Sequence, residues 1–355
     1  MCLSLSQVQA FFDYETIWDN YDHMTFAEWA ESKSVPQKFY DIIMQPALSV
    51  TLNEQKTISA AEMLMYFQIY FLNNPEADRR EIPTVDHGTA LLNPWQEKLL
   101  KLGALIKFQS PVSGFKFSKN SIVGLVGEPE ESYDWYVLAC DLPGVKSVLS
   151  HSTVDSETSQ SYSAVMENVR NLQIAPPYRV LRVWFDKQMQ DKPDILETPQ
   201  HTPLNLIAQY HLIEKPFMEW ADKTGGSVLE FHLYTWSYGV DFPDDKVWDR
   251  IKPIVFEIYP ELESFTVLDY VVHQYENFPS FTKGSHRFRP TSTFPSEVGF
   301  KNLVFAGDWL FTKYPSALME RAVSTGREAA NFVLKKCNVR QVPLTVLPNE
   351  GPGLI

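Results

Sequence analysis

A mixed α/β (α+β) fold follows from two observations. Near the C-terminus, residues 303–306 form a short apolar run that stops at Gly307-Asp308, and Pro315 or Ser316 then opens a helix. A buried strand, a turn and a helix are the units from which α/β layers are built. From residue 174 onward, residues 178–186, 204–210, 227–238 and 265–275 alternate as strands do, with helical patterns at 214–223 and 246–259 between them. The 355 residues suffice for one large or two ordinary domains.

Composition narrows the function. With 44% hydrophobic and 14% aromatic residues the chain can bury a sizeable core, which excludes general disorder. A net charge of −13 argues against a nucleic-acid binder, which needs a basic stripe. Cys2, Cys140 and Cys337 are far apart and odd in number, so neither a disulfide framework nor a metal motif follows. A reducing compartment, cytoplasm or plastid-like, is the expectation. No apolar run reaches 18 residues, and the start has no basic segment followed by an apolar one, so no membrane span or secretory signal is visible. The protein is expected to be soluble or peripheral to a membrane.

Residues 1–50 read as short helices, with a capping-box spacing from Thr25 to Glu28 and an apolar helical pattern over 37–44. Residues 57–73 are the most apolar helix candidate and end before Asn74-Pro75. They read first as a core helix, with the wall of a lipophilic channel or a membrane-facing surface as the alternatives. A helix runs to Leu102 and breaks at Gly103; a short strand is expected over 104–108, then Pro111-Val112 and a hairpin-like segment to Val126. Residues 128–133 are an acidic loop, 135–140 a strand, and Asp141-Leu142-Pro143-Gly144 a turn into a short helix. Residues 151–162, rich in Ser, Thr and His, read as a polar loop, and His151 has no Ser/Asp partner in any triad order. In the β-rich part Arg182 and Trp184 share one strand face, as do His232, Tyr234 and Trp236. Against a ligand they make an aromatic wall; against solvent or a second layer they are ordinary sheet residues.

The C-terminal unit suits anion binding. A helix N-terminus carries about half a positive charge and free N–H groups. Asp308 at the strand end can accept hydrogen bonds from ligand hydroxyls. Met319, Ala322, Val323, Gly326, Ala330 and Val333 recur at helical spacing as a mostly small apolar stripe, expected to approach a sheet or ligand closely.

The string Ala306-Gly307-Asp308-Trp309, Pro315, Leu318-Met319-Glu320, Ala322, Gly326 and Ala329-Ala330 resembles the C-terminal FAD signature of the amine oxidase/phytoene desaturase flavoproteins. The resemblance implies FAD as cofactor, with Gly307, Asp308, Trp309, Pro315, Leu318, Met319 and Ala322 around it and Val112 at its adenine end. The segments Ala175-Pro176-Pro177-Tyr178 with Arg182, Trp184 and Asp186, and Thr224-Gly225-Gly226-Ser227 with Glu230, His232 and Tyr234, resemble the carotenoid β-ring desaturase/methyltransferase (isorenieratene-synthase-like) branch. A carotenoid or similar long apolar substrate is thereby implied, with Arg182, Trp184, His232, Tyr234 and Trp236 facing it. So is hydride abstraction by the flavin, which needs little acid–base machinery because the cofactor carries the chemistry. Peripheral membrane contact is a further expectation; nucleic acid and metal are not expected.

The implied fold is an incomplete FAD-binding Rossmann-like domain plus a substrate domain of mixed sheet and helices. Residues 1–90 would be the helical part of the substrate domain, 91–150 an FAD-domain segment, 151–285 the β-rich substrate domain, 286–338 the C-terminal FAD-binding segment and 339–355 a tail. No Gly-x-Gly-x-x-Gly occurs in the sequence. The chain is therefore expected to be a fragment lacking the first βαβ unit, or a gene product that has lost it. Other readings stay open: a flavin amine oxidase on a small amine, with Lys313 the closest lysine in sequence to the flavin turn; a non-catalytic remnant unable to hold FAD; and a lipid or pigment carrier.

Overall fold

Three large apolar clusters organise the described residues, one helical, one around a parallel strand pair and one behind an antiparallel sheet, and a small fourth joins Val304 and Ala306 to Ala329. The structure is a computed structural model that describes residues 10–72, 81–127, 133–234 and 236–353. The N-terminal nine residues, the last residue of the helix expected over 57–73 and most of the acidic loop lie outside the described residues.

The first cluster is built by short helices. Thr25 and Glu28 form the expected capping box: the Glu28 N–H donates to Thr25 Oγ1 (3.2 Å) and the Thr25 N–H to Glu28 Oε2 (2.7 Å), starting α1, Phe26–Ser32. The helical stretch from Gln37 to Ser49 passes through a π turn at Tyr40–Met44, just before Pro46, which has no N–H to continue the ladder. Next comes α2, Ala60–Phe67, every residue of which is buried. Of the three expectations for this helix the core one matches; a membrane-facing surface does not, since no face is exposed.

A π turn at Gly88–Leu92 leads into α3, Asn93–Lys101, no residue of which is buried. The strand expected over 104–108 is absent, and Leu105 is 80% exposed. An isolated strand has no partner for its backbone groups, and among the described residues no strand edge pairs with this segment.

The second cluster holds the hairpin of β1, Phe115–Ser118, and β2, Ser121–Leu125, joined by Lys119 and Asn120 in left-handed conformation. It also holds β3, Tyr136–Leu138, and α4, Leu142–Ser150, whose Asp141 cap accepts the Gly144 N–H at 2.8 Å. A helix, α5, Ser159–Asn171, begins inside the segment expected to be a polar loop. Its Ser161, Val165, Met166 and Val169 recur at helical spacing on the buried side, a pattern that the polar composition around it obscures.

The third cluster lies behind a five-stranded antiparallel sheet ordered β6-β7-β8-β5-β9. After the two-residue β4, Gln173–Ile174, come β5, Tyr178–Phe185, β6, Ile195–Glu197, β7, Leu206–Gln209, α6, Lys215–Thr224, β8, Ser227–Leu233, α7, Val247–Ile258, and β9, Val267–Tyr275. Leu181, Val183 and Phe185 of β5 and Leu229, Phe231 and Leu233 of β8 pack against Val247, Ile251 and Val255 of α7. The even-numbered residues of both strands therefore point to the other face.

The chain returns through β10, Pro279–Ser280, paired with β4, to β11, Leu303–Phe305, which lies parallel to β3. The last helix, α8, Leu318–Lys336, starts later than Pro315 or Ser316. Both residues are buried ahead of it, and the Ser316 carbonyl is held by the Arg321 side chain. Its apolar stripe is mostly exposed, with Val333 packed on Val304, Ala306 and Ala329. Met319 is 68% exposed and Val323 is exposed too, while Arg321, Ser324, Thr325 and Ala329 face inward. Arg321 and Thr325 can face inward because they find partners in the hub and turn described next.

Candidate functional site

Beneath the turn between β11 and α8 lies a buried ionic hub. Glu62 sits in the middle of α2 with 0% exposure. Its Oε1 accepts from Arg321 Nη2 at 2.6 Å and its Oε2 from Arg289 Nη1 at 2.9 Å. Arg289 Nη2 also donates to the Leu310 carbonyl (2.6 Å) and Arg321 Nε to the Ser316 carbonyl (2.9 Å). The Phe281 ring lies 4.7 Å from one guanidinium and 4.9 Å from the other. Burial favours the neutral form of Glu62, but the two arginines outweigh it and hold the carboxylate pKa below its usual range. One carboxylate thus ties α2 to both sides of the β11–α8 connection.

Above the hub the chain turns at Gly307. The Gly307 N–H donates to Thr325 Oγ1 of α8 at 3.0 Å. Trp309 folds back so that its Nε1–H donates to the Cys140 carbonyl at the end of β3 (3.2 Å). A Cβ at Gly307 would sit 2.5 Å from Trp309 Nε1, and its φ of +152° is one that side chains avoid, so only glycine fits. Asp308 is half-buried, and burial raises its pKa against the opposing charge of Arg321. The groups that favour its charged form by hydrogen bonding are backbone N–H groups, its own and that of Trp309. Beside it α8 starts with no side-chain cap, leaving its first N–H groups available.

The face of the five-stranded sheet away from α7, partly covered by Tyr210 and Phe217, carries the second constellation. Arg182 of β5 and Glu230 of β8 are directly opposed, and Arg182 Nε and Nη2 reach Glu230 Oε2 at 2.8 and 2.5 Å. The guanidinium lies over Tyr210 (4.3 Å) and Phe217 (4.7 Å). The other carboxylate oxygen, Oε1, meets His232 Nε2 at 2.9 Å, and His232 Nδ1 meets the Tyr234 hydroxyl at 2.9 Å. Tyr178 stacks on Tyr275 at 4.8 Å and touches Tyr234 edge-on. Burial works to protonate Glu230, but the His232 hydrogen bond and the charges of His232 and Arg182 hold its pKa below the usual value. Burial, then the Glu230 charge, pushes the Tyr234 hydroxyl pKa up.

The candidates named from sequence divide between these places. Gly307, Asp308, Leu318 and Ala322 are half-buried and Met319 is exposed, all on the open side of the turn and α8. Trp309 is 1% exposed and Pro315 is buried, and Trp309 braces the turn through the Cys140 carbonyl. Val112 lies exposed in the segment just before β1, outside any strand. Arg182, Trp184, His232 and Tyr234 share the sheet face away from α7. Trp236 does not: β8 ends at Leu233, the alternation stops there, and the Trp236 ring enters the α7-covered core with its Nε1–H on the Gly239 carbonyl. Lys313 is exposed and lines a cleft with Glu328 and Lys335, toward the far end of α8.

Sequence reasoning missed Glu62, Arg289 and Arg321. A lone carboxylate in a wholly apolar helix was the available signal, because a buried charge requires a partner. Glu230 was equally accessible, two residues before His232 on the same strand face. Among the described residues no three His, Cys, Asp or Glu side chains are placed to hold a metal ion, and no helix is long and apolar enough to cross a membrane.

Comparison with known proteins places the chain in a family. The family model for flavin-containing amine oxidoreductases matches residues 35–334. A carotenoid phi-ring synthase of Chlorobaculum tepidum is 26% identical over 94% of this chain and 68% of the relative. One from Streptomyces griseus is also 26% identical, over 96% of this chain and 64% of the relative. The chain thus spans about two-thirds of the length of the curated relatives it matches. Cyclohexylamine oxidase from Brevibacterium oxydans superposes with a TM-score of 0.64 at 10% identity, covering 94% of this chain and 74% of that one.

Proposed function

The chain belongs to the flavin-containing amine oxidoreductase family, and on that premise we propose that it forms the flavin-side turn and the substrate sheet of an FAD-dependent oxidoreductase acting on a carotenoid or a similar long apolar molecule. The observation that carries the proposal is the Gly307–Asp308 turn. It presents a half-buried carboxylate beside an uncapped helix start, in front of an α8 face that is exposed and made of small and apolar residues. That donor and acceptor set fits the hydroxylated chain and the electron-accepting ring edge of FAD. When bound, FAD would supply the two-electron acceptor. Asp308 would hold ligand hydroxyls, the N-terminus of α8 would favour negative charge, and Thr325 and Trp309 would keep the turn in shape.

Tyr178, Trp184 and Tyr275 give the sheet face away from α7 aromatic surface beside the Arg182–Glu230–His232 network, which an apolar ligand could lie against. The carotenoid phi-ring synthases among the relatives support the substrate class. A small-amine oxidase is less well supported, because Lys313 lines a different cleft.

The direct test is the absorbance spectrum of the purified chain with excess FAD. Removing a hydrogen bond that involves a charged group costs about 1.5–3 kcal/mol, so Asp308→Ala is expected to weaken FAD retention roughly 10- to 100-fold. Equal flavin occupancy in variant and parent overturns the assignment. The unpartnered apolar residues of α3 and its neighbours, Leu91, Leu92, Trp95, Leu99 and Leu102, beside Lys98 and Lys101, are where membrane contact belongs. Co-flotation with anionic vesicles, reduced by Trp95→Ser with Leu99→Ser, is the expected result; no flotation of the parent removes that contact.

A further inference from the structure

The two edges of the five-stranded sheet differ. At one end β6 is three residues long, and a short edge strand is one way a sheet is guarded against further pairing. At the other end β9 runs for nine residues and, among the described residues, pairs with β5 alone. Its sequence, Val-Leu-Asp-Tyr-Val-Val-His-Gln-Tyr, holds no lysine, arginine or proline, the residues that blunt an exposed edge. Leu268, Asp269, Val271, His273 and Tyr275 are all exposed.

In an antiparallel ladder successive residues turn their backbone groups to one neighbour and then to the other. Tyr270 turns away from β5: its N–H donates to Oδ1 of Asp269 in its own strand, at 2.8 Å. Val272 and Gln274 turn outward with it. If the strand laid against this edge is another β9, outward residues must meet outward residues, so the pairing is centred on a residue and not between two. Centred on Val271, it pairs the whole strand; any other centre leaves one end unpaired.

The side chains agree with that centre. Asp269, Val271, His273 and Tyr275 stand opposite Trp184, Arg182, Val180 and Tyr178 of β5, on the face away from α7. The pairing sets Val271 against the partner's Val271 on the two-fold axis, and Asp269 against the partner's His273. A carboxylate accepts and an imidazole carries an N–H, so the match is complementary, and symmetry makes it twice. Val267 meets the partner's Tyr275, an aliphatic chain against a ring. The Tyr270 N–H passes from Asp269 to the carbonyl of the partner's Val272, which frees the carboxylate for the partner's His273.

We propose that β9 is a dimer interface, on which a second copy of this chain docks antiparallel with the two-fold axis at Val271. The proposal is independent of the flavin reading. It joins two sheets into one, and because Val271 stands opposite Arg182, the Arg182–Glu230 pairs of both copies then lie on one continuous face.

Sedimentation velocity of the full chain at high micromolar concentration is expected to show a species of twice the monomer mass. His273→Glu sets carboxylate against carboxylate twice and is expected to weaken the dimer at least about 10-fold. Adding Asp269→Lys to it is expected to restore the pairing. Residues facing each other in a non-hydrogen-bonded pair lie about 4.5 Å apart between Cα atoms, within disulfide reach. Val271→Cys is therefore expected to cross-link to itself under mild oxidation and Val267→Cys is not, with the parent, whose Cys140 and Cys337 are exposed, as control. A parent that stays monomeric overturns the proposal and leaves the edge to another occupant. A dimer that His273→Glu does not weaken, or in which Val267→Cys cross-links as readily as Val271→Cys, overturns it too and puts the second copy elsewhere.

Discussion

Glu62→Ala is expected to destabilise the protein by about 3–5 kcal/mol, the cost of removing one partner from a buried ionic cluster. The reason is what remains. Arg289 and Arg321 would be left buried about a void, each still held to a backbone carbonyl, with no negative charge to offset two positive ones. Because Glu62 joins α2 to both flanks of the β11–α8 connection, the loss falls on the segment that carries the Gly307–Asp308 turn. Urea unfolding at pH 7 measures it, and an unchanged midpoint would refute the hub's role. The same carboxylate gives a signed pH dependence. Its folded pKa is below the ordinary value, so the unfolded chain binds the proton more readily. The stabilisation is present above the unfolded carboxylate pKa, about 4.3, and is lost as pH falls through the folded value. Glu62→Gln should be less stable than the parent at pH 7, with the gap narrowing under acid.

Gly307→Ala is expected to be the most damaging small change at the Gly307–Asp308 turn. The added Cβ meets Trp309 Nε1 at 2.5 Å and Cδ1 at 2.7 Å, in a backbone region that costs a side chain about 1–3 kcal/mol. The indole cannot move without giving up the Cys140 carbonyl, its link to β3. The expected result is a lower thermal midpoint together with loss of FAD retention. A variant that keeps both would show that the turn tolerates a side chain and that glycine is not required there.

Local signals carried much of the fold. The Thr25–Glu28 box, the Asp141 cap and the alternation of β5, β8 and β9 each depend on neighbours a few residues apart, so they stand in the sequence as they stand in the molecule. The strand, glycine and helix of the C-terminal unit were legible for the same reason, and with them the family. The errors lie where a distant partner decides. Residues 104–108 have strand-like composition and no edge to pair with. Helix α5 was hidden by polar residues whose inward neighbours come from other segments.

By itself the sequence determined most of the elements, the glycine at the turn and the shared faces of Arg182 with Trp184 and of His232 with Tyr234, because periodicity and backbone sterics are local properties. Only the tertiary structure decided which face of α8 is buried, that Trp309 and Pro315 are buried at the turn, that Trp236 leaves the wall for the core, and that Glu62 waits 227 residues upstream of Arg289. Burial and charge pairing join residues across the whole chain, and no local window contains both members of such a pair.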